Sequence, residues 1–151
     1  MKIVSIDPGT VNLGYAVYED GMITRFGSLN IVVKKHKTDY PMLVHIMIAN
    51  HPKIFENLDI ILIENQMQAK MKMIACALRC FYWNKSIPIS PKAVRNYFKI
   101  SNSNYRMNKK ASIEKVKQFL TKDQITAISS HKKMDDIADA VIQLHYYLCK
   151  H

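Results

Sequence analysis

Four carboxylates in this chain stand where structure can aim them. Asp7 closes a short apolar run, "KIVSID", and is followed by Pro-Gly-Thr. Glu64 closes a second run, "LDIILIE". Asp136 and Asp139 fall three apart in "MDDIADAV", a spacing that puts both on one side of a helix. Acids are scarce, 12 against 22 lysines and arginines, so their concentration at element ends carries information. Taken singly, each has an ordinary explanation. A helix N-terminus favours Asp135 and Asp136, Asp7 before Pro-Gly supports a turn, and Glu64-Asn65 is a plain strand exit. Taken together, two strand-end carboxylates and a helical pair make an oxygen-rich cage for hard cations such as Mg²⁺. Two such ions about 4 Å apart bind the attacking water and the leaving oxygen of a phosphodiester.

The elements that must carry these acids follow from the apolar period. Residues 2–7 predict a strand buried on both faces, residues 13–18 a second and 22–33 a third, with Asp20-Gly21 as the tight turn between the last two. Gly9 lets the chain turn after Asp7, and Gly14 allows close packing in the hairpin. Residues 34–38 read as a basic loop. Tyr40–Asn50 has helical spacing and stops before Pro52. The continuous apolar run 58–64 suits a central strand covered by helices. Residues 67–83 form a helix with two apolar sides, one through Ile74 and Leu78, the other through Met73, Cys76 and Cys80. Ile87 and Ile89 mark a short strand, and Ser90-Pro91 open a helix. Asn108 is placed to cap a helix over 109–120. The last helix covers 134–149, its inward stripe running through Ile137, Val141 and Leu144 and leaving Asp136 and Asp139 on the opposite side. The length of 151 residues, without repeats or linkers, fits one domain over 1–151.

The net charge of +10 is concentrated. Between positions 65 and 122 thirteen lysines and arginines face a single acid, Glu114. A basic segment of this kind suits a polyanion, most often nucleic acid, although a solvated face has the same composition. Lys70, Lys72, Arg79, Arg106, Lys109 and Lys110 are the candidate DNA contacts. Tyr82, Tyr97, Phe98 and Tyr105 lie among these bases and serve either as stacking surfaces for opened bases or as core. His131, shortly before the acidic pair, is a proton donor, a phosphate contact or a plain loop residue. His36, His45 and His51 lack metal-ligand spacing. Cys76, Cys80 and Cys149 make an odd count without a disulfide pattern, as expected of free thiols in a reducing compartment. No apolar run approaches the about 20 residues of a membrane span, and the N-terminus shows no signal peptide. A cytoplasmic protein without membrane contact is expected.

"SIDPGTVNLGYAV", "LIENQ" and "DDIADAV" stand in the order and spacing of the RuvC-like Holliday junction resolvases, and the chain resembles most the poxvirus members of that group. The resemblance spans nearly the whole chain. It implies a ribonuclease H-like α/β fold: a central mixed five-stranded sheet, three antiparallel strands and then parallel ones, flanked by helices. It also implies a homodimer that cuts four-way DNA junctions symmetrically with Mg²⁺, two ions, or Mn²⁺ in its place. In poxviruses such enzymes resolve concatemeric genomes in the cytoplasm of the infected cell. Residue by residue, Asp7 matches the first metal ligand and Glu64 the second. The family's D-x-x-D-A falls on Asp136 to Ala140, selecting Asp136 and Asp139 over Asp135. The family's catalytic or backbone-binding lysine matches Lys110, with Lys109 or Arg106 as alternatives. "ISNSNYRMN", before it, lacks the glycines of bacterial members. The second apolar side of helix 67–83 is the candidate two-fold interface.

Three rival readings compete. The "DPGT" turn also occurs in nucleotide-binding ATPases, but those double this fold around the nucleotide and this chain has one half, so no nucleotide cofactor is expected. Another ribonuclease H-like nuclease, of YqgF type or specific for RNA–DNA hybrids, would share the acids. A non-catalytic DNA-binding module would use the basic surface alone, yet buried acids repel phosphate unless a cation lies between them.

Overall fold

In the computed structural model, which describes all residues except Asn102, Ser103 and Lys133, the first apolar run becomes the middle of a sheet. The side chain of Tyr105, one of the candidate stacking residues, also lies outside the described residues. β1 (Ile3–Asp7) pairs antiparallel with β2 (Asn12–Glu19), which pairs antiparallel with β3 (Met22–Asn30). On its other side β1 pairs parallel with β4 (Ile60–Glu64), and β4 with β5 (Ser86–Ile89). The order across the five strands is β3-β2-β1-β4-β5, the mixed sheet the sequence predicts. Asp20 (φ 52°) and Gly21 (φ 87°) both take the left-handed conformation that a two-residue hairpin turn needs.

Strand side chains alternate between faces, and this alternation decides where the acids point. Val4, Ile6, Ile61 and Ile63 enter one core, beneath α1 (Tyr40–Asn50), α2 (Pro52–Phe55) and α3 (Ala69–Phe81). Ile3 and Leu62 enter the other core. That one is covered by α4 (Pro91–Tyr97), α5 (Tyr105–Val116), α6 (Lys122–Ser129) and α7 (Met134–Lys150). Asp7 shares a face with Ile3, and Glu64 with Leu62. Because Ile6 stands opposite Ile63 on the neighbouring strand, both acids leave the sheet side by side on the α7 face.

α7 carries the expected stripe, with Ile137, Val141 and Leu144 fully buried. The side expected to be free is buried too, through Ala140 and Gln143. Gln143 Nε2 donates to Ser5 Oγ at 2.9 Å and to the Ile6 carbonyl at 3.3 Å. The reason is that α7 lies across β1 and β2 while α5 and α4 pack against it, so it needs two inward sides. Asp136 and Asp139 therefore look into the protein. Gly14 sets how closely α7 approaches. A Cβ there would stand 2.2 Å from the Asp136 carbonyl oxygen, so the close contact it permits is with α7 rather than within the hairpin.

Elsewhere the structure shifts the predicted elements. α5 starts one turn early, capped by Asn104, whose Oδ1 accepts from Arg106 N at 2.8 Å; Asn108 lies inside the helix. The same helix stops at Val116, and a separate α6 follows behind a reciprocal Thr121–Gln124 capping box. Pro52, expected only to end α1, occupies the first position of α2, where its missing N–H costs nothing. Among the described residues no helix is long and apolar enough to cross a membrane.

Candidate active site

The four carboxylates singled out in the sequence line one cleft of about 390 Å³ at the carboxyl ends of β1 and β4. The Pro8–Asn12 turn, Gln66, Arg95 and Lys109 complete its walls. Strand ends hold side chains more rigidly than loops do, which suits ligands that must meet at one point. Asp7 and Glu64 are joined through Gln66, whose Nε2 donates to Asp7 Oδ1 at 3.1 Å and to Glu64 Oε1 at 3.0 Å.

Burial and mutual repulsion govern the electrostatics. Burial holds the Asp7 carboxyl well above the usual carboxylate range, and Glu64, Asp139 and Asp136 push it further, with Lys109 opposing. Glu64 is pushed up to about 7, by burial first and then by Asp139, with Arg95 and the Gln66 hydrogen bond opposing. Asp139 is pushed up to about 6 by burial, with the Ser112 hydrogen bond and Lys109 opposing. Acids that raise one another in a cleft are a common mark of a functional site, and a bound cation relieves the strain.

The structure redistributes the lysines. Lys109, not Lys110, lines the cleft and acts on Asp7 and Asp139; it also pairs with Asp135. Lys110 is exposed on α5 and lies near Glu114. Successive helical residues point about 100° apart, so the residue expected to enter the site and its neighbour exchange places. Buried Ser112, three residues beyond Lys109 on the same side, holds Asp139. Arg106 is exposed, as are Lys70, Lys72 and Arg79 on α3; Lys72 and Arg79 border a second hollow with Asn65 and Gln66, next to the cleft. Two of the aromatic candidates are partly buried against the cores. Tyr82 Oη donates to the Phe55 carbonyl at 3.3 Å, and Phe98 packs against Phe119 at 5.4 Å between ring centres. Tyr97 is exposed, edge-on to Tyr146. His131 is exposed before α7.

Gln66, Arg95 and Ser112 escaped the sequence reading as site residues. Two signals were present: Gln66 follows the strand-end acid in "LIENQ", and Ser112 sits at helical spacing from Lys109. Arg95 carried none beyond its charge. The donors fit a hard divalent cation, since the lining acids offer only carboxylate oxygens and include neither thiolate nor imidazole. As the side chains stand, no three His, Cys, Asp or Glu among the described residues are gathered closely enough to hold a metal ion.

This five-stranded mixed sheet with helices on both faces has the ribonuclease H-like fold. The chain belongs to the Poxvirus A22 protein family, whose model matches residues 1–150. Among solved structures it is similar to the fowlpox virus resolvase in complex with Holliday junction DNA, with a TM-score of 0.71, 21% identity and 99% of each chain covered. It is similar to the yeast mitochondrial Holliday junction resolvase at a TM-score of 0.66 and 20% identity, covering 98% of this chain and 84% of that one. Thermus thermophilus RuvC matches at a TM-score of 0.62 and 12% identity, covering 99% of this chain and 97% of that one. Comparison with curated protein sequences gave no match.

Proposed function

We propose that this protein is a divalent-cation-dependent endonuclease that resolves four-way DNA junctions by paired phosphodiester cuts. One observation carries the reading: Asp7 and Glu64 leave adjacent parallel strands on the same face, into the cleft where α7 sets Asp136 and Asp139 and α5 sets Lys109. In this reading Asp7, Glu64, Asp136 and Asp139 would hold Mg²⁺, two ions, with Mn²⁺ as a substitute. When bound, the metal would supply water activation and charge neutralisation at the phosphate. The chain's own residues do the rest. Asp7 and Glu64 are fixed by β1 and β4, and α7 is fixed by Gln143 and by its seat on Gly14. Lys109, an alternative to Lys110 for the family's lysine, would oppose negative charge that develops at the scissile phosphate. Lys70, Lys72, Arg79, Arg106 and Lys110 hold the DNA backbone outside the cleft.

A four-way junction has approximate two-fold symmetry, so two copies of the chain present one cleft to each of two opposed strands. The second apolar side of α3 is the proposed contact: Met73 is about half exposed there, beside exposed Cys76 and Cys80. Sedimentation of the free protein at micromolar concentration tests this, and a monomer would count against it. The family's setting further proposes action on viral concatemers in the cytoplasm, which localisation of tagged protein in infected cells would test. Cleavage of four-way, three-way, linear and RNA–DNA hybrid substrates tests the function itself. Preference for the four-way junction supports the proposal, and preference for the hybrid or uncut DNA of every form rejects it.

A further inference from the structure

Gln66 stands two residues past the end of β4, and its half-buried side chain turns back into the cleft. The same nitrogen meets an oxygen of Asp7 and an oxygen of Glu64, at 3.1 and 3.0 Å. An amide nitrogen carries two hydrogens, so it serves both acceptors at once. The structure sets the nitrogen, not the oxygen, of the amide against the pair, and it donates to both acids. Asp7 and Glu64 are thereby tied across the gap between β1 and β4 by a neutral group.

A cation shared by Asp7 and Glu64 would need the space between those strand ends and the oxygens that now accept from Gln66. Nitrogen and cation exclude each other there. We propose that Gln66 is a built-in competitor for the metal: it clasps Asp7 and Glu64 in the metal-free protein and has to swing away before a divalent ion can share their oxygens. This rests on the cation-site reading above. The clasp occupies one oxygen of each acid, the oxygens a shared ion would need. It also makes loading dependent on substrate. Mg²⁺ is commonly held by one or two carboxylates together with substrate phosphates, so a DNA phosphate in the cleft would supply the oxygens that shift the balance against the amide.

The test is Mn²⁺ titrated alone into the full chain without DNA, with free Mn²⁺ read by electron paramagnetic resonance. Gln66→Ala should bind Mn²⁺ about tenfold more tightly than the wild type, a factor equal to about 1.4 kcal/mol. The side-chain amide resonances of Gln66 should move when Mg²⁺ is added to the wild type. Gln66→Met keeps the length of the side chain without its donor and serves if the alanine variant fails to fold. Equal or weaker Mn²⁺ binding by the folded variant overturns the competitor role and leaves the cation site standing. Absence of Mn²⁺ binding in wild type and variant alike overturns both.

Discussion

Gly14→Ala is the substitution that most directly probes how α7 is held over the strand ends. The new methyl would stand 2.2 Å from the Asp136 carbonyl oxygen and 2.6 Å from its carbonyl carbon, where ordinary contacts begin beyond 3 Å. Both atoms are backbone, so no side-chain rotation relieves the clash, and the start of α7 has to move by about 1 Å. Overpacking of this kind costs about 1–3 kcal/mol of stability. A displacement of about 1 Å in catalytic geometry costs on the order of a hundredfold in rate. The expected result is a folded but less stable protein that cuts a synthetic four-way junction about a hundred times more slowly in single-turnover assays. Gly27→Ala is the control. Its methyl would meet the Tyr15 side chain first, at 3.0 Å, and a side chain can yield. Wild-type cutting by Gly14→Ala would refute the claim that α7 positions Asp136 through this contact.

The lysine assignment separates by substitution. Lys109→Ala should lower single-turnover cleavage on the order of a hundredfold, as loss of one group opposing transition-state charge does, while Lys110→Ala should weaken DNA binding with little effect on cleavage. The acids predict a pH dependence with a definite sign. Glu64, pushed up to about 7, and Asp139, pushed up to about 6, hold protons in the folded chain at a pH where the unfolded chain has released them. Their contribution to stability is present below the usual carboxylate range and is lost as pH rises through about 6 to 7. Denaturant unfolding of metal-free protein should show that fall, and added Mg²⁺ should reverse it. Metal binding needs the ionised forms, so Mn²⁺ affinity should climb over the same interval and level off above it. A flat profile would contradict the placement of these acids at the cation.

Much of this arrangement was legible in the chain. The two apolar runs that end in Asp7 and Glu64 show that both acids are mounted on strand ends, and the alternation of Ile3, Ser5, Asp7 against Val4, Ile6 contains the face each would take. The side of the sheet that α7 would cover was not readable, because it depends on packing between distant segments. The rotation of α5 was also hidden. Its buried residues among those described are Ser112 and Val116, so its apolar period is too weak to tell Lys109 from Lys110. Burial of Gln143 against Ser5 and Ile6 gave α7 a second inward side that a hydrophobic stripe cannot reveal. Gln66, Arg95 and Ser112 act through contacts across the fold, and only coordinates bring such contacts together.

The most direct measurement compares wild-type protein with Asp7→Asn on one synthetic four-way junction, each in Mg²⁺ and in a chelator, scoring bound and cut DNA in the same samples. A shared cation site predicts paired cuts only for wild type in Mg²⁺, with the junction still bound by Asp7→Asn. Cutting by wild type in the chelator, or by Asp7→Asn at the wild-type rate, would contradict it.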